Sequence, residues 1–208
     1  SLLLKRNRPY ETVTALMRID DLIERMGGIT KQLKSFARKN TEGFVPLNFN
    51  DAFLSAMAIM EPQLKQSKVK IETSVSIEPI IIMGDQQRLE QVMINLFRNA
   101  LDAVATVEQP EIKLSLYKDE SAIFSIADNG NGISNLETLF EPFQTTKDSG
   151  KGLGLGLAIS SNIISELGGI LQGKNLSSKG AEFKIILPLF DPSRITIEED
   201  LKPRKGSE

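Results

Sequence analysis

Cysteine and histidine are both absent from this sequence of 208 residues. Without cysteine the chain forms no disulfide and offers no thiolate to a metal. Without histidine as well, zinc and haem lose their usual protein ligands. Any metal that this chain binds is therefore expected to be a hard cation held by oxygen atoms.

Long apolar runs and an excess of charge of one sign are also missing. No stretch approaches the roughly 20 apolar residues that span a bilayer, and the run 2–4 is too short for the core of a signal peptide. The chain carries 25 Lys and Arg against 27 Asp and Glu, and the basic residues are dispersed. We therefore expect neither a nucleic-acid partner nor membrane contact by this chain.

What is present is the composition of an ordinary soluble globular protein, with 40% apolar and 25% charged residues. The chain begins on an apolar run without methionine, so we expect it to be a fragment of a longer protein. Residues 1–8 are predicted to be the end of a helix. Asn7-Arg8-Pro9 breaks it, because the residue before a proline is pushed out of the helical region.

A long amphipathic helix is predicted from Glu11 to Lys39. Its apolar positions alternate spacings of three and four over about three heptads, which is typical of a helical bundle. They are Leu16, Ile19, Ile23, Met26, Thr30, Leu33 and Ala37. The stripe could pack on the chain's own domain or on a second copy, and we favour a homodimer through this helix. Residues 1–40 are thus predicted to be a truncated helical unit.

An α/β alternation follows a linker at 41–43 and defines a predicted domain over 41–190. Its expected strands are 45–50, 69–77, 80–83, 111–117, 121–128, 170–172 and 181–188. Its expected helices are 51–66, 86–106 and 153–167, and the last is closed by Gly168-Gly169. Residues 191–208 are polar and charged and are predicted to be a tail.

Two motifs in this domain carry amide and carboxylate oxygens. Asn95 and Asn99 are one turn apart on the helix 86–106, and their neutral oxygens suit Mg²⁺ on phosphates. They could also be structural Asn residues bonded to backbone. Asp128 ends a predicted strand, where it could accept a hydrogen bond from the adenine amine, with Gly130 and Gly132 letting the backbone approach the ring. An ordinary Asp-Asn-Gly turn is the alternative.

Two further motifs lie in and after a polar loop. Gly152, Gly154 and Gly156 open a helix, where backbone amides can bind an anion, although the spacing is neither a dinucleotide fingerprint nor a P-loop. A flexible helix start is the alternative. The run 140–143, Phe-Glu-Pro-Phe, predicts a hinged lid or, alternatively, a small hydrophobic cluster under the loop.

In this order the four motifs resemble the N, G1, F and G2 boxes of the GHKL ATPase superfamily, in the form found in sensor histidine kinases. The resemblance covers about 45–190. It implies a two-layer α/β sandwich, the Bergerat ATP-binding fold, in which helices pack on a mixed sheet, preceded by a helical-hairpin remnant. The segments 18–26 and 29–38 resemble the second helix of the dimerisation and histidine-phosphotransfer hairpin, in wording similar to the C4-dicarboxylate-transport sensors.

The resemblance implies a role for each matching residue. Asn99 would hold Mg²⁺ on ATP or ADP, with Asn95 beside it, and Asp128 would read the adenine amine. Arg98 and Lys147 would contact the transferring phosphate, so the expected catalytic set is Asn95, Arg98 and Lys147. The loop 131–151 would be the ATP lid. The other expected nucleotide contacts are Asp102, Gly130, Gly132, Ile133, Phe143, Thr146, Gly152, Leu153, Gly154, Leu155 and Gly156.

The resemblance also implies a function: the cytoplasmic catalytic core of a bacterial inner-membrane sensor. It would transfer the γ-phosphoryl group of ATP to a histidine, for relay to an aspartate of a response regulator. Because the chain has no histidine, it should not phosphorylate itself. A serine kinase of the anti-sigma type and a non-catalytic, nucleotide-gated dimerisation module remain open. A gyrase-type or chaperone-type ATPase is disfavoured, because Asn95 stands where those enzymes carry the glutamate that activates water.

Overall fold

A computed structural model of the chain describes residues 44–144 and 154–193, together with residues 13–17, 19, 20, 23 and 27 of an N-terminal helix. The nine described N-terminal residues are all helical, as the heptad pattern predicts. Three apolar side chains among them, Met17, Ile19 and Ile23, are more than half exposed. The rest of the expected helix and most of the expected tail lie outside the described residues.

The main sheet has five strands in the order β2-β4-β5-β7-β6. Its strands are β2 (Lys70–Val75), β4 (Glu111–Lys118), β5 (Ala122–Asp128), β6 (Ile170–Asn175) and β7 (Ala181–Leu187). The β2–β4 pair is parallel and the other pairs are antiparallel, so the sheet is mixed. Buried residues alternate along β4, β5 and β7, which gives the sheet one apolar face and one wetter face.

Three helices cover the apolar face and form the second layer. They are α1 (Phe49–Ser67), α2 (Gln86–Val104) and α3 (Gly156–Glu166). Their buried side chains and those of the sheet form one continuous core, in which the ring of Phe124 lies 5.8 Å from that of Phe53 and 6.3 Å from that of Phe97. The expected two-layer α/β sandwich with a mixed sheet is confirmed. Within the described ranges, no helix has the length and apolarity to cross a membrane.

A small second sheet joins the two ends of the domain. Its strands β1 (Val45–Asn48) and β3 (Ile81–Gly84) pair antiparallel. The chain beyond β7 then lies beside β3: Leu189 forms a bridge with Ile82, and the Phe190 N–H donates to the Ile81 carbonyl at 2.9 Å. Residues after the last strand of the main sheet therefore hold the small sheet in place.

Some predicted boundaries were wrong. The first strand ends at Asn48, two residues early, because the Asn48 side chain accepts hydrogen bonds from the N–H groups of Asn50 and Ile80 and so caps α1. The last helix begins at Gly156 instead of Leu153. Strand β6 continues to Asn175, three residues beyond the prediction, because its pairing with β7 supplies the hydrogen bonds.

Candidate functional site

The polar side of α2 is one wall of the candidate site. Asn95, Arg98, Asn99 and Asp102 have the spacing i, i+3, i+4 and i+7, which places them on one stripe of the helix. Asn95 and Asn99 are half-buried, whereas Arg98 and Asp102 are exposed. The opposite side of the helix is buried in the core through Leu89, Val92, Met93, Leu96, Phe97, Ala100 and Val104. The stripe is thus fixed in direction by the packing of the other face.

Asp128 lies at the end of β5 on the face that the helices cover, and it is only 4% exposed. Its Oδ1 accepts a hydrogen bond from the Gly130 N–H at 2.8 Å, and the Ala181 N–H is a second donor to the carboxylate. Burial raises the pKa of Asp128, and the two N–H groups oppose that shift. A carboxylate held in this way can accept a hydrogen bond from an exocyclic amine.

Residues 130–133, called here the base loop, run from Asp128 across the end of α2. A Cβ built on Gly130 would stand 2.5 Å from the Ala103 carbonyl oxygen, so only glycine allows the loop to lie this close to the helix. Gly132 has φ +77°, a conformation that favours glycine. The loop thereby brings Asp128 next to the C-terminal turns of the helix that carries Asn99.

The start of α3 lies against the other end of the same stripe. A Cβ on Gly156 would overlap Oδ1 of Asn95, and the Asn95 Nδ2 donates to Oγ of the buried Ser160 at 3.1 Å. Leu155, the N-cap residue, makes no side-chain hydrogen bond to the helix, so within the described residues the first N–H groups of α3 have no side-chain cap. An uncapped helix start beside a polar stripe offers donors to an anion.

Phe143 and Gly154 are joined by a backbone hydrogen bond. The Phe143 N–H donates to the Gly154 carbonyl at 3.1 Å, and both residues have positive φ angles, 66° each. Phe140 is half-buried against the core, whereas Phe143 is 70% exposed. The two phenylalanines of the predicted lid motif therefore have different environments: one is anchored and the other faces solvent.

The structure gathers most of the predicted site residues around α2. Asp128 and Gly130 lie at its C-terminal end, Gly132 and Ile133 continue from there to Asn175 of β6, and Gly156 lies against Asn95. Phe143, Gly154 and Leu155 follow at the entry to α3. The predicted residues Thr146, Lys147, Gly152 and Leu153 lie outside the described residues.

Two polar residues of the site were not predicted, Ser160 and Asn175. Oδ1 of Asn175 accepts from the Ile133 N–H at 2.6 Å, and its Nδ2 donates to the Ile133 carbonyl at 2.8 Å. Ser160 lies four residues after Gly156 on the same helix, so its position on the same helical face could have indicated that it belongs to the site. Asn175 lies beyond the predicted end of its strand, so the sequence pattern gave no such signal.

A buried carboxylate at a strand end, a polar helix stripe and the start of α3, all on this two-layer fold, are the features expected of a nucleotide-binding ATPase domain. The chain belongs to the family of histidine kinase-, DNA gyrase B-, and HSP90-like ATPases, which its residues 84–191 match.

Similar proteins are sensor histidine kinases. The two-component sensor PprA of Pseudomonas aeruginosa is 33% identical over 188 residues, and the C4-dicarboxylate transport sensor protein DctB of Rhizobium meliloti is 36% identical over 168 residues. These alignments cover 86% and 78% of this chain but only 20% and 27% of the relatives. The chain therefore corresponds to about a fifth to a quarter of their length.

A solved structure shows the same fold. The nucleotide-free catalytic domain of the histidine kinase ThkA superposes with a TM-score of 0.62 at 28% identity, over 71% of this chain and 96% of that domain. The expected assignment to a sensor-kinase catalytic core is thereby confirmed.

Proposed function

We propose that this chain is the ATP-dependent catalytic domain of a protein-histidine kinase. The observation that carries the proposal is the position of Asp128, which is buried on the helix-covered face beside the base loop. Burial of this carboxylate costs desolvation energy, which the N–H groups of Gly130 and Ala181 offset only in part, so that a further hydrogen-bond partner from a ligand would add to them. An adenine amine is such a partner, and the backbone of the base loop, packed against α2 through Gly130, would border the ring.

The nucleotide would lie along α2. Its base would contact Asp128, Gly130, Gly132 and Ile133, and its phosphates would run along Asn99 and Asn95 towards the start of α3. There the uncapped helix start and the glycines, Gly154 and Gly156 among them, would donate N–H groups to phosphate oxygens. Asp102, Phe143, Thr146, Gly152, Leu153 and Leu155 complete the proposed nucleotide contacts.

Mg²⁺ fits the oxygen ligands of the same stripe. Residues 44–144 and 154–193 contain no cluster of three or more acidic side chains that could hold a metal by themselves. Mg²⁺ bound with ATP needs few protein ligands, because phosphates and water fill most of its coordination sphere. The carboxamide oxygen of Asn99 is the proposed ligand. When bound, Mg²⁺ would neutralise phosphate charge.

The chain's own residues would position the γ-phosphoryl group and stabilise its charge during transfer. Arg98 is exposed on the stripe, and with Lys147 it is proposed to contact the moving phosphoryl group. A histidine nitrogen would attack phosphorus while the bond to the β-phosphate oxygen breaks and ADP leaves. That histidine comes from outside this chain, which has none. Asn95 cannot act as a general base, so hydrolysis by water should be slow.

The intact protein is proposed to be a homodimer that pairs through the helix around 11–39. It would pass the phosphoryl group to an aspartate of a response regulator, as expected of a two-component sensor. We place this chain on the cytoplasmic side of a bacterial inner membrane. PprA and DctB, of which only DctB is named for C4-dicarboxylate transport, have similar identities to this chain, 33% and 36%, so these identities do not single out one signal.

The test has two stages. Calorimetric titration with Mg-ADP should show saturable binding, and Asp128→Asn should weaken it. The chain is then mixed with a full-length kinase subunit that retains its histidine but cannot bind ATP, and labelled ATP is added. Acid-labile label on that subunit supports the proposal. Acid-stable label on a serine protein would favour the serine-kinase alternative, and tight binding without transfer would favour the dimerisation module.

A further inference from the structure

The base loop is held at both ends by side-chain amides. At its start, Oδ1 of Asn129 accepts from the Glu111 N–H at 2.9 Å, and its Nδ2 donates to the Gln109 carbonyl at 2.7 Å. At its end, Asn175 makes the pair of hydrogen bonds to the N–H and carbonyl of Ile133. Each side-chain amide thus binds the main chain through two hydrogen bonds. A single hydrogen bond would leave the bound main-chain segment free to rotate about it.

Asn175 also lies level with Asp128 across the sheet. It pairs with Ala181 in the β6–β7 register, and the Ala181 N–H donates to Asp128. Adjacent strands are about 4.8 Å apart, so the two side chains stand about 10 Å from each other on the same face. The base loop crosses β7 over this distance, and its last residue, Ile133, is hydrogen-bonded to Asn175 on β6.

Strand β6 also contacts the chain on the C-terminal side of the base loop, through Gly173. A Cβ on Gly173 would stand 2.5 Å from Cδ2 of Leu139 and 3.4 Å from Cδ1 of Ile133. The missing side chain leaves a recess in which both apolar side chains lie. Gly173 therefore seats the segment that follows the base loop, while Asn175 sets the height and direction of its main chain.

We propose that Asn175 is a positioning residue, which holds the base loop where Asp128 and the loop backbone together receive the adenine ring. This inference rests on the proposed nucleotide site. Asn175 itself is exposed, and its bonds go to backbone atoms of a surface loop. Its loss therefore leaves the core intact and changes the shape of the purine pocket.

Asn175→Ala provides the test, with Asn162→Ala as its matched control. Asn162 is another exposed asparagine, on α3, and its Nδ2 donates to the Glu166 carboxylate at 2.9 Å within the helix. Titrations with Mg-ADP and Mg-GDP are compared with the thermal unfolding midpoint of each variant. We expect Asn175→Ala to weaken ADP binding about tenfold, since it removes two hydrogen bonds. The preference for ADP over GDP should fall with it, and Asn162→Ala should keep both.

An unchanged ADP-to-GDP preference in a folded Asn175→Ala would overturn the inference, because a purely structural residue would alter only the unfolding midpoint. If that variant does not fold, Asn175→Asp is used instead. It keeps the size and the acceptor for the Ile133 N–H but loses the donor. Reduced preference in this variant supports the positioning role, and wild-type preference contradicts it. Absence of ADP binding by the wild-type chain would instead remove the proposed function itself.

Discussion

Gly180 and Asp128 are in such close backbone contact that no side chain fits between them. A Cβ on Gly180 would overlap the carbonyl oxygen of Asp128, and Gly180 has φ +96°. The turn between β6 and β7 can therefore press against the end of β5, where Ala181 donates to the Asp128 carboxylate. The position of the site's buried carboxylate depends on a glycine 52 residues further along the chain.

Gly180→Ala should accordingly destabilise the domain more than a positive φ angle alone explains. The left-handed conformation costs about 1 kcal/mol for alanine, and the overlap adds about 1–3 kcal/mol. Urea unfolding measures the change. Gly168→Ala is the control, because Gly168 also has a positive φ, +74°, but a Cβ added there would lie 3.7 Å from the nearest atom, in the Pro188 side chain. Equal losses in the two variants would show that the contact with Asp128 is unimportant.

Asp128→Asn should weaken binding of Mg-ADP by about 1–3 kcal/mol, the range for a hydrogen bond to a charged, buried group. The replacement keeps the shape of the side chain, so stability should change little by comparison. Calorimetric titration gives the affinity. Asp119→Asn, in the exposed turn between β4 and β5, is the control and should bind as the wild type does. Unaltered affinity of Asp128→Asn would exclude this carboxylate from base recognition.

The pH dependence of Asp128 should have opposite signs in binding and in folding. Burial raises its pKa above 3.8, so the ionised form costs stability in the ligand-free domain. The contribution of protonated Asp128 to the free energy of unfolding is therefore present at low pH and is lost as the pH rises from 3.8 to the folded-state pKa. Adenine binding, in contrast, should strengthen over this interval as the carboxylate forms. Titrations at several pH values should show the step in the wild type, and its persistence in Asp128→Asn would assign it to another group.

Asn99→Ala should remove the effect of Mg²⁺ on nucleotide binding. If the Asn99 oxygen is the protein ligand, ADP affinity in Mg²⁺ should fall to the value that the wild type shows in EDTA. Titrations of both proteins in Mg²⁺ and in EDTA make the comparison. A Mg²⁺ effect of wild-type size in Asn99→Ala would move the metal to another ligand.

Gly156→Ala should destabilise the domain only while Asn95 is present. The new methyl group displaces the Asn95 carboxamide from its hydrogen bond with Ser160, at a cost of about 1 kcal/mol or more. In an Asn95→Ala background there is nothing to displace. Unfolding free energies of the four proteins in this cycle should give a coupling of at least about 0.5–1 kcal/mol. Additive losses would mean that the two residues do not constrain each other.

The sequence predicted best those elements whose pattern is local. The alternation in β4 and β5 and the apolar stripe of α2 were recognised because each periodicity follows from one packed face. The boundary at Asn48 was missed, because its capping role includes a hydrogen bond from Ile80, 32 residues away. Strand β6 was predicted to end at Gln172, whereas it continues through Gly173, whose missing side chain makes room for Leu139.

The candidate site was predicted in the same uneven way. Asp128 and Asn99 stand in motifs that can be read along the chain, and their roles remain predictions to be tested. Asn175 and Ser160 act through contacts with residues 42 and 65 positions away, which no local pattern reveals. The residues that hold the pocket in shape are thus harder to find from sequence than those expected to touch the ligand.

The attachment of Leu189 and Phe190 to β3 sets a limit on how short a working version of this domain can be. A chain ending at Leu187 would keep all five strands of the main sheet yet leave the Ile81 carbonyl without the donor that Phe190 provides. The exposed edge of the small sheet would then be open to pairing with other molecules. Expression trials should therefore extend past residue 190 to obtain a protein that stays in solution.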